Sequence, residues 1–336
     1  MELINQTGVP AELRVTSIED RVRAGLLAAK ATFDVSRGRL ELVSEGEPAP
    51  VLADDEDTPL GLLPNDLQAP GNRPVCELMV LGAACARTPV GQMPVELRVG
   101  NRSVRLLVTG DRAWVQHGEL FAATEPVPFV RMPLTWSRTF GGSEDVWIDD
   151  AARVPVQDPI NPEGLGFNAY RTAKDLMSGL SRRAPRADEF ARPLPNVEDA
   201  ESPVRSPDDT PLPLCWAPLP QTNALIPMLI ASWDGPGPPP YDRFQRSHPN
   251  LTLGKPPYDE KIILTGCTPK PLEFEFRRLS LTADYVVGER SGSRTLEAQR
   301  VVLLPDERRV LVTYYTYFGF VAAPDEERSL RLRTGS

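Results

Sequence analysis

The chain has 336 residues, of which 41% are hydrophobic and 25% are charged, and its formal net charge at pH 7 is −9. This balance is typical of a globular protein with a sizeable core, and the acidic charge disfavours a general binder of nucleic acid or anionic membranes. Its 36 prolines are about twice the usual share of roughly 5%, which excludes long helices and central strands wherever prolines are dense.

The start of the chain, MELINQTGVP, lacks the basic stretch and the long apolar run of a secretory signal. No segment approaches the roughly 18 apolar residues that a membrane helix needs. The cysteines, Cys76, Cys85, Cys215 and Cys267, are scattered without a close-spaced pair, which favours reduced and mostly buried thiols. We therefore expect a cytoplasmic protein with no membrane insertion.

The first 142 residues predict β-structure. Short segments rich in β-branched and apolar residues alternate with turns, and glycine-containing turns at Gly38 and Gly100 predict two hairpins. Strands at this spacing favour a sandwich or an open barrel over alternating βαβ units. The predicted strands are 28–35, 38–43, 76–84, 94–100, 103–110 and 112–116.

The middle of the chain predicts one helix and a long irregular crossing. At 168–183, Asn168 is placed to cap a helix whose apolar residues recur at helical spacing. Residues 185–271 then hold 19 of the prolines. Because this part also carries Trp216 and the apolar run ALIPMLIASW at 224–233, it favours a segment packed over the β-core rather than disorder.

β-Structure returns near residue 260. The predicted strands there are 260–266, 272–276, 279–288, 299–305 and 308–321. The sequence thus predicts a mainly β fold, a two-layer β-sandwich or open barrel-like sheet system with one or two short helices and a long proline-rich irregular insert. We expect a single β-rich domain over 1–330, composed of an N-terminal β block (1–142), a helix and insert (143–259) and a C-terminal β block (260–322), followed by a mobile tail (323–336).

The motifs give little support to catalysis. His117 and His248 lie in loop-like settings with no ligand at metal-binding spacing, and no G-x-S-x-G, H-E-x-x-H or P-loop motif occurs. GLGFNA at 164–169 matches a dinucleotide fingerprint, but proline-rich sequence rather than a strand precedes it. We therefore predict no catalytic, cofactor-binding or metal-binding residue.

The densest local signal is MPLTWSRTFGG at 132–142. Its apolar and polar residues alternate, which predicts a strand whose core face carries Trp136 and Phe140. Gly141 and Gly142 then permit the positive φ angles of a tight turn.

Arg138 interrupts the apolar face of this predicted strand. The simplest interpretation is a half-buried arginine paired to a carboxylate such as Asp111 or Glu144. The alternative is a contact with a partner protein, since Pro133 indicates an edge position where a strand from another chain can add.

Several segments, taken in order, resemble the bacterial family known as domain of unknown function 2169. They are ATFDV (31–35), NRPVCELMVLGAA (72–84), VTGDRAW (108–114), MPLTWSRTFGG (132–142), NPEGLGF (161–167), LPNVED (194–199) and YDRFQRSHPNLTL (241–253). The resemblance spans roughly 1–310, whereas VTYYTYFGF at 312–320 stands where the family usually has a tryptophan-arginine pair. The motif residues that we single out as family-signature or partner-binding candidates are Asp111, Arg112, Trp114, Trp136, Arg138, Phe140, Gly141, Gly142, Asn161, Gly164, Gly166 and Phe167.

The resemblance implies a place beside bacterial type VI secretion. Such proteins are encoded near spike and PAAR-type tip proteins and toxic effectors, and they are thought to act as adaptors or chaperones that load cargo on the spike. We therefore expect a non-enzymatic adaptor or chaperone that binds an effector, a VgrG/PAAR-type spike-tip protein, or both, without a cofactor or nucleic acid. The alternatives are a carboxylate-based hydrolase or transferase with a site near 138–167 and a structural component of the secreted spike.

Overall fold

A computed structural model describes residues 1–18, 22–43, 48–68, 75–117, 120–147, 153–169, 192–236, 239–240, 243–321 and 328–335. Over these residues the chain is mainly β, with several sheets that do not close into a barrel, and this confirms the predicted sandwich-like class. The described α-helix is α1 (Leu225–Ala231), and short 3-10 helices span Trp136–Arg138 and Pro249–Leu251. The helix predicted at 168–183 lies, beyond residue 169, outside the described residues.

The strands of the first half of the chain are short, apart from a thirteen-residue strand that begins at Val22. They are β1 (Glu2–Asn5), β2 (Ala11–Ser17), β3 (Val22–Asp34), β4 (Glu41–Leu42), β5 (Glu56–Thr58), β6 (Gly61–Leu63), β7 (Cys76–Val80), β8 (Ala83–Val90), β9 (Gln92–Val99), β10 (Arg102–Thr109), β11 (Ala113–His117), β12 (Leu120–Ala123), β13 (Phe129–Pro133), β14 (Phe140–Gly141), β15 (Ser143–Trp147) and β16 (Arg153–Gln157).

The second half begins with very short strands and ends with long ones. They are β17 (Leu165–Gly166), β18 (Arg192–Pro193), β19 (Val197–Asp199), β20 (Thr252–Leu253), β21 (Glu260–Thr265), β22 (Leu272–Phe276), β23 (Leu281–Val287), β24 (Arg290–Thr295), β25 (Glu297–Leu304), β26 (Arg309–Val321) and β27 (Arg328–Thr334).

Three larger sheets carry the architecture. A seven-stranded sheet has the order β2-β3-β26-β25-β7-β20, with β4 beside β3. A five-stranded sheet has the order β19-β10-β9-β21-β22, and a four-stranded sheet has the order β1-β27-β23-β24. The remaining strands form the small sheets β12-β11-β18, β13-β8, β14-β17, β15-β16 and β5-β6.

Strand alternation places the core between the seven-stranded and five-stranded sheets. Along β26, Val310, Val312 and Tyr314 point into this core, whereas Leu311 and Tyr315 point to the opposite face of the sheet. This is the period-two pattern of a strand, here buried on both faces. The five-stranded sheet contributes Val95, Leu97, Val99, Leu106, Val108, Ile262, Leu264, Phe274 and Phe276 to the same cluster.

The proline-rich insert covers the opposite face of the seven-stranded sheet. Met79 and Leu81 lie in one apolar cluster with residues of 215–219 and of α1, and the backbone N–H of Val80 donates to the carbonyl of fully buried Trp216 at 2.8 Å. Pro227 sits in the first turn of α1, where a missing N–H costs little. The prediction of a packed irregular crossing is therefore confirmed.

Charged side chains are buried beneath this cover. Arg300 on β25 and Glu77 on β7 form an ion pair at 3.2 Å, and their side chains are 1% and 0% exposed. The Arg300 guanidinium also donates to the carbonyls of Asn65, at 2.7 Å, and Gln68, at 3.1 Å. The loop that leads into β7 thus accepts two further hydrogen bonds from the arginine.

Further ion pairs extend this arrangement over the sheet. Glu77 accepts backbone N–H groups of Arg246 and Ser247 through its second oxygen, and Arg246 forms two hydrogen bonds with Asp55, at 3.0 and 2.9 Å. Burial alone would raise the pKa of Asp55, but Arg246 and the N–H of Asn65 bring it below its ordinary value. The buried charge network consists of Lys30, Asp55, Asp66, Glu77, Arg246 and Arg300, with Lys30 and Asp66 paired at 2.8 Å.

Most predicted strands are present, but the tail and the segment at 132–140 differ from their predictions. β9 and β10 form the expected hairpin, β3 pairs with β4, and β22 has the predicted bounds. The tail was predicted to be mobile, but residues 328–334 form β27, which pairs with β1 and β23 because Leu330 and Leu332 alternate into the core. The strand predicted at 132–140 is interrupted, as described below.

The cysteines agree with the expectation of mostly buried thiols. All four are free, with Cys76, Cys215 and Cys267 buried and Cys85 partly exposed. Burial raises the pKa of Cys215 to about 12, so this thiol stays protonated at neutral pH.

His248 lies in a loop, as the sequence predicts, but its side chain is buried. It is 8% exposed, and its Nδ1 accepts the backbone N–H of Asn250 at 3.2 Å at the start of the Pro249–Leu251 helix. Burial lowers the pKa of His248 to about 4, so the folded state holds a neutral imidazole that accepts this capping hydrogen bond.

We predict that Arg300→Met lowers the free energy of unfolding by about 3–5 kcal/mol, because it leaves the Glu77 carboxylate buried without a cation. Adding Glu77→Gln removes that charge but keeps an oxygen for the N–H groups of Arg246 and Ser247, and we expect it to restore at least about 1 kcal/mol. Urea denaturation measures both. As a control, Arg277→Met at a 72% exposed ion pair should change stability by less than about 0.5 kcal/mol. Equal losses in the single and double variants would contradict this interpretation.

We also predict that His248 makes stability depend on pH between about 6.5 and 4. In this window the unfolded state takes up a proton that the folded state does not, so the free energy of unfolding falls by about 3 kcal/mol as the pH decreases. His248→Asn keeps a capping side chain and removes this contribution. Denaturation at several pH values compares the two proteins, and an unchanged slope in the variant would refute the assignment.

Candidate functional site

The candidate residues come from three separate motifs and meet at one junction. Strand β13 ends at Pro133, and the chain then forms the Trp136–Arg138 helix instead of continuing as a strand. The indole N–H of Trp136 donates to the carbonyl of Ala217 in the insert at 2.9 Å. The prediction of one strand over 132–140 is wrong because tertiary hydrogen bonds, not a neighbouring strand, satisfy this backbone. Trp136 and Phe140 are nevertheless buried, as the alternation predicted.

Asn161 holds the turn that follows this helix. Its side-chain amide donates to the carbonyls of Trp136, at 2.9 Å, and Phe140, at 3.0 Å, and to the hydroxyl of Thr139 at 2.9 Å. Its own backbone carbonyl accepts the N–H of Gly142 at 2.8 Å. Asn161 is 1% exposed, so its polar groups stabilise the junction and are not available at the surface.

The two glycines of the motif allow two chain segments to approach closely. Gly141 has a φ of 140° and Gly142 a φ of 116°, which confirms the predicted positive angles. They do not form a hairpin turn, because β14 pairs in parallel with β17, Phe140 opposite Leu165 and Gly141 opposite Gly166. A Cβ on Gly141 would overlap the carbonyl oxygen of Asn161. Glycine is therefore required both for its angle and for its lack of a side chain.

Arg138 meets one of the two expected carboxylates. Its guanidinium lies 3.5 Å from Asp111 and donates to the side-chain oxygen of Asn196 at 2.8 Å. Asn196 in turn donates to Asp111 at 3.0 Å. Glu144, the other expected partner, instead pairs with Arg192 at 2.6 Å. Asn196, in the LPNVED segment, is not among the candidate residues from the sequence, although it is a polar residue beside apolar ones.

A second ion pair lies beside the first. Arg112 pairs with Glu198 at 2.6 Å, and the Glu198 side chain is 3% exposed. Burial raises the pKa of Glu198 above its ordinary value, although Arg112 and the N–H of Val204 act in the opposite direction. Trp114 and Phe140 pack together with Leu194 and Val204 under this pair, and Phe167 packs in a neighbouring cluster with Val146 and Ala169.

The candidate residues therefore divide into two groups. The aromatic residues, Asn161 and three of the four glycines are buried and build the junction, and Gly166 is partly exposed. Only Asp111, Arg112 and Arg138 bring charged side chains to the surface, and Asp111 is the most exposed of them, with 73% of its side chain accessible. Direct contact between a partner and this junction would involve these three.

The clearest exposed sheet edge lies elsewhere. β2 is the outer strand of the seven-stranded sheet, and no strand among the described residues pairs with its other side. Five of its seven residues are exposed. Val15 within the strand and Ile18 just after it are large apolar residues, 41% and 61% exposed. An open edge of this length is a template on which another chain can form a strand.

A family model described as "Uncharacterized protein conserved in bacteria (DUF2169)" matches residues 20–315. No curated protein and no solved structure matches the chain. In the described ranges, no set of three or more His, Cys, Asp or Glu side chains is placed to hold a metal ion. Nor does any helix there have the length and apolar character to cross a membrane.

We predict that Gly141→Ala lowers the free energy of unfolding by more than about 3 kcal/mol, because the new methyl group combines an unfavourable φ with a backbone overlap. Gly8→Ala is the matched control, since Gly8 also has a positive φ, 73°, but nothing lies within 4 Å of the position of its Cβ. This control should lose only about 1–2 kcal/mol. Chemical denaturation distinguishes them, and similar losses would show that close approach at the junction is unimportant.

Proposed function

We propose that this chain, which belongs to the DUF2169 family of bacterial proteins, is a non-enzymatic adaptor that binds a partner protein by strand addition at β2. The observation that carries the proposal is the seven-residue open edge of β2, with exposed Val15 and Ile18. A partner strand would gain main-chain hydrogen bonds along this edge and apolar contacts at alternate residues. β3 pairs along the whole of β2 and is buried from Leu27 to Phe33, so it provides a rigid support.

The partner that we propose is a type VI secretion effector, a VgrG/PAAR-type spike-tip protein, or both. This choice follows from the family resemblance of the motifs, which implies a cytoplasmic role in stabilising and loading cargo. An open edge suits such a role because strand addition depends mainly on backbone groups and accepts varied side chains. One surface is therefore suited to related cargo proteins of different sequence.

The rival hypothesis, an enzyme with a site near 138–167, requires convergent acidic or basic groups in a concave pocket. Two of the carboxylates there are used in local structure. Asp158 accepts the backbone N–H groups of Ile160 and Asn161, at 2.9 and 2.7 Å, and Glu144 accepts both Arg192 and the N–H of Ala169. Polar groups committed to holding loops in place support the adaptor proposal over the rival.

We predict that the protein co-purifies with an effector or spike-tip protein encoded beside it and raises the soluble yield of that protein on co-expression. Val15→Lys should reduce the co-purified amount at least about tenfold, because a lysine on an edge strand opposes strand addition. Val127→Lys is the matched control, since Val127 is also exposed, 59%, but lies outside any strand.

Thermal unfolding of both variants establishes that each remains folded. The proposal fails if no protein encoded nearby forms a complex with the wild type. The assignment of partner binding to the β2 edge fails if Val15→Lys binds the partner as well as Val127→Lys does.

A further inference from the structure

A second open edge arises where β25 leaves β26. β26 pairs with β3 along its whole length, from Arg309 to Val321. β25 pairs with it only as far as Tyr315, opposite Glu297. The preceding strand, β24, belongs to the four-stranded sheet, and the chain passes from it through buried Leu296 into β25. Among the described residues, no strand therefore pairs with this side of 316–321.

The diverging strands enclose a wedge-shaped groove. The space between β24 and residues 318–321 of β26 is called the wedge. It is also lined by Tyr285 and Val287 of β23. Its volume is about 290 Å³, and it adjoins a second cleft of about 510 Å³ that shares Arg294. Phe318 and Phe320 stack along its β26 wall, with ring centroids 6.1 Å apart. The wedge thus combines an open strand edge with aromatic surface.

The wedge is basic on an acidic protein. Arg290 and Arg294 are exposed and lie on the same face of β24, because they are four residues apart. Lys255 adds a third cation in the adjoining cleft. The acidic residue that lines these clefts, Glu297, is occupied by Arg278 and by the hydroxyl of Tyr258. No ion pair within the described part of the chain involves the three cations, although the net charge of the protein is −9.

We propose that the wedge binds an acidic, extended segment of a partner protein, which adds as a strand along 316–321. Residues four apart in a strand are about 13 Å apart. A partner with carboxylates at positions i and i+4 therefore matches Arg290 and Arg294, and an apolar side chain at i+2 meets Tyr285 and Phe320. This surface lies on the far side of β3 and β26 from β2, and it selects its partner by charge, which the β2 edge does not.

The test uses the full chain and a fluorescein-labelled peptide of sequence TETVTETV, whose glutamates have the required spacing. We expect fluorescence anisotropy to show binding with a Kd of about 10–100 µM that weakens with added salt. Arg290→Glu with Arg294→Glu should weaken binding at least about tenfold. The control pair, Arg37→Glu with Arg39→Glu, changes the net charge equally at arginines that are 75% and 71% exposed, and it should bind as the wild type does.

Two further peptides test charge and strand addition separately. TKTVTKTV should not bind, because lysines would face Arg290 and Arg294. TETVTETV methylated on alternate backbone nitrogens keeps its charge but loses half of its main-chain donors, and it should bind at least about tenfold more weakly. Equal binding of the methylated peptide would overturn strand addition.

Other outcomes would also overturn the proposal. Equal weakening by the control pair would mean that net charge alone drives binding. A wild-type dimer in light scattering that Arg290→Glu with Arg294→Glu abolishes would make a second copy of this chain the occupant. Val15→Lys should leave peptide binding unchanged, so failure at β2 and failure at the wedge are separable.

Discussion

The ion pair between Arg300 and Glu77 is the interaction on which the rest of the fold depends. Both residues lie on neighbouring central strands and point to the face of the sheet that the insert covers. A guanidinium and a carboxylate buried there are stable only when every donor and acceptor has a partner. The loop before β7 supplies carbonyls and the segment at 246–247 supplies N–H groups. The buried polar groups of the sheet are therefore satisfied only when these two segments pack on it.

The same dependence explains how so proline-rich a chain has a defined structure. Prolines remove backbone donors, and segments dense in them cannot form sheet ladders. Here side-chain hydrogen bonds take the place of those in a sheet. Arg246 donates to Asp55 and to the carbonyl of Leu219, and Asn161 donates to three groups of the turn at 136–140. Long irregular stretches become ordered because buried polar side chains satisfy their backbone groups.

The family motifs and the proposed binding surfaces lie in different places. Most motif residues near 111–167 are buried in the junction, where they hold neighbouring segments together. The surfaces that we propose for partner binding are the edge of β2 and the wedge beside β26, and neither lies in the strongest motifs. The adaptor role that we propose would use both surfaces, and β3 and β26 separate the two in the seven-stranded sheet.

The sequence by itself determined the strands whose alternation reflects burial, such as β9, β10, β22 and β26, and hence the β class, because one period-two pattern suffices to place a strand on a core. It also determined the turn glycines, since only glycine suits a positive φ there. Only the tertiary structure decided that 132–140 breaks into a short helix, that 328–334 joins a sheet, and that Arg138 meets Asp111 rather than Glu144. The break at 132–140 and the pairing of Arg138 depend on partners such as Ala217, Asn161 and Asn196, which lie 21 to 81 residues away in the chain, so no local pattern shows which residues they meet.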